Sequence, residues 1–177
     1  MRFIEQKING VYLIQPEPFA DERGVFRRHF CISEFKSNGI VATVDQANVS
    51  ENFSEYTLRG FHYQLDPHAE GKTLSCLKGE IFDIVVDLRP NSQTFGKWIS
   101  FSLSESSRSS IHIPPGCANA FMTLEPNCLI HYYCSHSYNP DSERGIRYND
   151  PSFDFKWPHE PKIISEKDRS HPNFRLG

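Results

Sequence analysis

No stretch of this 177-residue sequence approaches the roughly 18 consecutive apolar positions that a membrane-spanning helix needs. The opening segment, MRFIEQKINGVYL, has no basic stretch followed by an apolar run, so a secretory signal is not expected. Charge of one sign is also missing. The 19 basic and 22 acidic residues leave a net charge of −3, which gives no field that would gather nucleic acid or anionic lipid. Any phosphate that binds must therefore meet a local cluster of cations. Cysteine is sparse and unpaired: Cys31, Cys76, Cys117, Cys128 and Cys134 form an odd set without a CxxC. That pattern argues against a disulfide framework or a thiolate zinc site, and for free thiols in a reducing cytoplasm. In that compartment the Asn-x-Ser sequences at Asn48 and Asn52 carry no glycosylation meaning. Internal repeats, low-complexity tracts and linkers are absent as well, so residues 1–177 read as one domain, long enough to bury a sizeable core.

What is present points to strands. The chain holds 14 Phe and 12 Pro, a mixture that suits a β-rich fold with many turns better than a helical bundle. The hydrophobic period is near two. Thr73–Leu77 leads into a Lys78-Gly79 turn, and Ile81–Leu88 reads as a buried strand. Trp98–Leu103 alternates apolar with polar, Ser110–Ile113 repeats the pattern before Pro114-Pro115-Gly116, and Leu129–Cys134 is a further strand. Strands that recur about every ten residues, with turn formers between them, predict an all-β sandwich or barrel. Helix is expected only in short peripheral pieces. One is Ser33–Asn38, with Ser33 as cap and Gly39 as stop, and another is a single turn near Glu166. From Asp154 onward, proline and charge predict irregular structure wrapping the barrel.

Several segments hold residues that can do chemistry. In Arg59-Gly60-Phe61-His62 a lone strand histidine is ordinarily packed or solvated, yet Arg59 lies three residues before it and Lys72 ten after. A regular strand would place Arg59 and His62 on opposite faces, so a shared site needs a bulge, which Gly60 would permit. Two cations nearby favour a neutral imidazole, the form that a general base needs. An aspartate on its far nitrogen would fix the tautomer, but spacing does not name that aspartate. Phe19 to Phe26 reads as a charged turn between strands. Gln46, Asn48 and Ser50, at alternate positions, share one strand face that either meets solvent or lines a polar pocket. Pro114 to Phe121 holds a tight turn, and Tyr132 shares a parity with Tyr138, although barrel aromatics usually fill the core.

Taken in order, these segments resemble the dTDP-4-dehydrorhamnose 3,5-epimerase family along nearly the whole chain. Its D-x-R-G-x-F pattern resembles Asp21–Phe26, Q-x-N-x-S resembles Gln46–Ser50, and L-R-G-x-H-Y-Q resembles Leu58–Gln64. G-K, then G, then F-D-x-x-V-D-L-R resembles Gly71, Lys72, Gly79 and Phe82–Arg89. T-F-G-x-W falls at Thr94–Trp98, E-x-G-I-x-x-N-D-P at Glu143–Pro151, and S-x-K-D at Ser165–Asp168. The resemblance implies a double-stranded β-helix, the cupin jelly roll. It further implies a homodimer in which an amino-terminal segment carrying Phe19 and Arg23 reaches the partner's site. It also implies epimerisation at C3 and C5 of a nucleotide-linked 4-keto-6-deoxy sugar without metal or redox cofactor. By resemblance His62 is the general base held by Asp168, and Tyr132 is the acid on the opposite face. Lys72 and Arg59 lie near the sugar O4 and the diphosphate, while Gln46, Asn48 and Tyr138 line the nucleotide side.

Those residue types suit that chemistry. C3 and C5 both flank the ketone, so loss of either proton drives charge onto O4, where a fixed cation stabilises the enolate. Inversion needs a base on one face and an acid on the other. Two positions depart from the family pattern. Asn119-Ala120 replaces His-Gly after P-x-G, and Arg28 stands where an acid is usual, which points to GDP or CDP as the nucleotide. A metal-dependent cupin is disfavoured because Gln64 and Asn119 occupy positions where metal cupins place histidine. The alternatives are a 3-epimerase alone, a 3,4-ketoisomerase, or a non-catalytic cupin that binds sugar nucleotides.

Overall fold

The computed structural model describes residues 1–176. One antiparallel sheet runs in the order β1 (Arg2–Glu5), β2 (Tyr12–Gln15), β10 (Ser110–Ile113), β7 (Lys72–Lys78), β12 (Cys128–Cys134) and β5 (Gln46–Asn52). The second runs β13 (Glu143–Gly145), β6 (Thr57–Gln64), β11 (Cys117–Thr123), β8 (Glu80–Asp87) and β9 (Trp98–Ser104). A short strand, β14 (Ile163–Ile164), lies parallel to β6. Successive strands cross between the sheets at β5 to β6, β7 to β8, β9 to β10 and β11 to β12, which winds the chain into the double-stranded β-helix of a jelly roll.

The period of two decides what each face buries. On β8, Ile81 and Val85 enter a core shared with Leu74, Ile111 and Ile130 of the opposite sheet, while Phe82, Ile84 and Val86 face the other way. That outer face is covered by the carboxy-terminal wrap, where Phe155 stacks on Phe61 at 4.4 Å and the Trp98 indole donates to the Phe153 carbonyl at 2.9 Å. Burying such aromatics removes a large apolar area from water, so a segment with little regular structure is still firmly held.

Both short helices exist, with one correction. The first, α1 (Ile32–Ser37), starts one residue earlier than expected: Cys31 occupies the N-cap without a side-chain cap bond, and Ser33 lies inside the helix. The Ser33 hydroxyl meets the Cys31 sulfur at 3.1 Å and is not in the capping position. Gly39, at φ +73°, ends the helix as expected. Phe35 pins α1 to the outer face of the first sheet, against Ile14 and Tyr133. In the second, α2 (Glu166–Ser170), Ser165 is a true cap whose hydroxyl accepts from the Asp168 amide at 3.1 Å.

Among the described residues one hairpin belongs to neither sheet. It joins β3 (Phe19–Asp21) to β4 (Gly24–Phe26), and its Phe19 and Phe26 are 65% and 76% exposed.

Candidate active site

A cleft of about 460 Å³ opens between the two sheets. Arg59 and His62 reach it from β6, Lys72 from β7, Asn119 from β11, Tyr132 from β12 and Asp168 from α2. Arg59 and His62 share the cleft because β6 is bulged. Ala120 pairs with Gly60 and Asn119 with His62, which leaves Phe61 as the extra residue and reverses the alternation. Gly60 is required at this point. Its φ is +112°, and a Cβ there would stand 2.6 Å from the Asn119 carbonyl oxygen and 2.8 Å from the Ala120 Cα.

The aspartate that spacing left unnamed is Asp168, 106 residues from His62. His62 Nε2 meets its Oδ1 at 2.7 Å, and the Gly60 amide donates to Oδ2 at 3.1 Å. Burial opposes ionisation of this carboxyl. The bonds from His62, the Gly60 amide and Ser165 outweigh burial and hold it below the ordinary aspartate value. An ionised Asp168 accepts only, so Nε2 carries the hydrogen and Nδ1 keeps its lone pair for a proton. Tyr132 remains a neutral phenol, since burial raises it well above the range in which it would ionise at neutral pH. The Lys72 ammonium lies 5.9 Å from the centre of the Tyr132 ring.

Asn119 is fully engaged. Its Oδ1 accepts from Lys72 Nζ at 3.2 Å, and its Nδ2 donates to Asp83 Oδ2 at 2.9 Å. Asp83 is wholly buried, and this desolvation raises its carboxyl to about 8 despite the pull of Asn119 and Lys72.

The remaining expected residues lie outside the cleft lining. Gln46 and Asn48 lie on the β5 face that presents Ser50 to the cleft, and Asn48 pairs with Tyr132. Gln46 Nε2 donates to Asn48 Oδ1 at 2.9 Å, and its Oε1 accepts from the Tyr138 amide at 3.0 Å. Tyr138 does not extend the parity of Tyr132, because β12 ends at Cys134; its hydroxyl donates to Glu143 at 2.7 Å from an exposed connection. Phe19 and Arg23 lie on the exposed hairpin, where Arg23 pairs with Asp21. Arg28 lies on the surface, where its guanidinium donates to Glu34 at 2.8 Å, and it is not part of the cleft lining of its own chain.

One charged cleft residue had been given no role from the sequence. Lys167, bonded to Glu143, lines the wall beside Asp168, and its signal was the lysine of S-x-K-D. Ser50 was legible as the third member of the alternating polar face. With Arg59, Lys72 and Lys167 against one ionised acid on its lining, the cleft suits an anionic ligand. Among the described residues no three His, Cys, Asp or Glu side chains converge to hold a metal ion, and no helix is long and apolar enough to cross a membrane.

Comparison with known proteins agrees with this geometry. The sequence profile of dTDP-4-dehydrorhamnose 3,5-epimerase matches residues 5–175. The enzyme of that name from Methanothermobacter thermautotrophicus is 40% identical, across 98% of this chain and 95% of its own. The crystal structure of the Elizabethkingia anophelis enzyme superposes with a TM-score of 0.94 at 36% identity, covering 98% of this chain and 96% of that one. The Bacillus anthracis enzyme, solved with TDP and PPi bound, gives 0.94 at 32% identity, covering 98% and 99%. This chain therefore belongs to the dTDP-4-dehydrorhamnose 3,5-epimerase family of isomerases.

Proposed function

We propose that this protein inverts C3 and C5 of a dTDP-linked 4-keto-6-deoxyhexose by removing a proton on one face and returning one on the other. The observation that carries the reading is the His62–Asp168 bond at 2.7 Å on the wall of a cleft that also holds Lys72, Arg59 and Tyr132. His62 Nδ1 takes the proton beside the ketone. Asp168 orients the ring and stabilises the imidazolium that forms. The electron pair moves onto O4, where the Lys72 ammonium meets a charge that develops only along the reaction. Tyr132 delivers a proton from its phenol to the opposite face, and Arg59 and Lys167 face the diphosphate. Proton exchange with solvent returns His62 to the neutral imidazole and Tyr132 to the phenol, and repetition at the second carbon completes the double inversion.

The nucleotide reading rests on a relative. Arg28 donates to Glu34, and the Asn119 amide lies between Lys72 and Asp83, contacts that by themselves favour no one base. The Bacillus anthracis relative binds TDP, which supports dTDP here. We further infer a homodimer in which the exposed β3–β4 hairpin brings Phe19 and Arg23 to the partner's cleft, since both aromatics of that hairpin are otherwise bare. The core common to both sheets supports a single domain, and five free cysteines support a reducing cytoplasm.

The test is incubation with dTDP-4-keto-6-deoxyglucose in deuterium oxide, reading mass at C3 and C5. Label at both carbons is expected. Label at C3 alone would make the protein a 3-epimerase, and none at either carbon would refute the reaction.

A further inference from the structure

Lys72 is held from two sides. Asn119 Oδ1 accepts from its ammonium at 3.2 Å, with buried Asp83 behind that amide at 2.9 Å. From the other side Glu70 Oε1 stands 4.0 Å from Nζ, and the Glu70 side chain is only 10% exposed. Glu70 Oε2 is buried and has no hydrogen-bond partner among the described residues.

A carboxyl retained for structure alone looks different in this protein. Asp87 is still further withdrawn from solvent, but it accepts from Arg89, Ser92 and Thr94 and leaves no oxygen bare. A buried acid with an unpartnered oxygen costs stability, so packing gives no reason for Glu70 to be there. Its neighbours supply one. The charged and titratable groups that face it are Lys72, His136, Tyr132 and Cys134, with His68 set edge-on against His136 at 4.9 Å. Burial raises the Glu70 carboxyl above the ordinary glutamate value, against the pull of Lys72. The neutral form therefore persists to higher pH than for a solvated glutamate.

We propose that Glu70 is a positioning residue for Lys72: when neutral it leaves the ammonium free to meet the substrate, and when ionised it draws that charge back. The inference rests on the reading of Lys72 as the cation at O4 and the diphosphate. It implies that affinity for the anionic substrate falls as pH rises through the ionisation of Glu70.

The experiment measures kcat and KM between pH 5.5 and 8.5 for wild type, Glu70→Gln, Glu70→Asp and Lys72→Ala. The ratio of wild-type to Glu70→Gln KM cancels every titration the two proteins share. That ratio is expected to rise with pH as Glu70 ionises, by up to about tenfold, a modest fraction of what a 4 Å charge pair can exert. Glu70→Asp, which keeps the acid, should retain the climb. A ratio that stays flat overturns the proposal, as does an equal loss in Glu70→Gln and Glu70→Asp at every pH, which would mark a purely structural residue. Should Glu70→Gln fail to fold, the decision passes to wild type and Glu70→Asp: matching rises of KM with pH support the proposal, and two flat profiles overturn it. Undiminished label exchange in Lys72→Ala would instead overturn the reading of the cleft itself, so the two failures are distinguishable.

Discussion

The cleft and the β3–β4 hairpin both hold residues assigned to substrate, but they are built in opposite ways. Most polar cleft side chains are fixed by a second contact within the chain: His62 by Asp168, Asp168 by Gly60 and Ser165, Lys72 by Asn119, Arg59 by Asn52 at 2.7 Å. The hairpin pairs only with itself and leaves Phe19 and Phe26 in solvent. Groups that need fixed geometry are set on a two-sheet frame, while the hairpin leaves its aromatic side chains exposed. The comparison can be broken at either end.

The largest effect should come from the cleft. His62→Asn removes the base but leaves the cations in place, so turnover should fall roughly 100- to 10,000-fold while substrate affinity changes far less. Steady-state kinetics, with label exchange as a second readout, checks this. Exchange at the normal rate in that variant would sink the assignment of His62.

A smaller effect is expected from the hairpin. If Arg23 serves the partner's diphosphate site, Arg23→Ala should raise KM about tenfold with kcat less affected, the usual loss of one charge-assisted contact. An unchanged KM would mean that one chain holds the whole site, and light scattering on the same variant would show whether the dimer persists.

The smallest effect is predicted for Arg28. Because Arg28 lies on the surface and outside the cleft lining of its own chain, Arg28→Ala should shift the relative affinities for dTDP, CDP and GDP by less than about twofold, the scale of ordinary surface changes. Calorimetric titration of the three free diphosphates would decide. A marked change of preference would restore Arg28 as a nucleotide-reading residue and place it in a cleft other than its own chain's.

The strands were the most legible part of the sequence. Ser110–Ile113 matches β10 residue for residue, and Trp98–Leu103 misses β9 by one, because alternation records which face is buried. Local signals at chain reversals were less dependable. Ser165 caps α2 as its motif implies, whereas Ser33 was displaced by Cys31, since where α1 begins is set by Phe35 docking on the sheet as well as by the capping residue. The pairing of Tyr132 with Tyr138 failed for a related reason: parity holds only within a strand, and β12 stops at Cys134.

By itself the sequence determined the β-rich architecture and the bulge that Gly60 permits, because strand period and glycine geometry are local properties. The cleft side chains were named by the ordered resemblance to a family and not by spacing. Only the tertiary structure showed Asp168 against His62 at 2.7 Å, Asn119 tied between Lys72 and Asp83, and Arg28 bonded to Glu34. Each of those is a contact between residues brought together by folding and not by spacing. The charge of a buried group depends on what surrounds it: Asp83 rises to about 8 and Asp168 falls below its usual value, although both are aspartates in strand-rich or capped segments of the same chain.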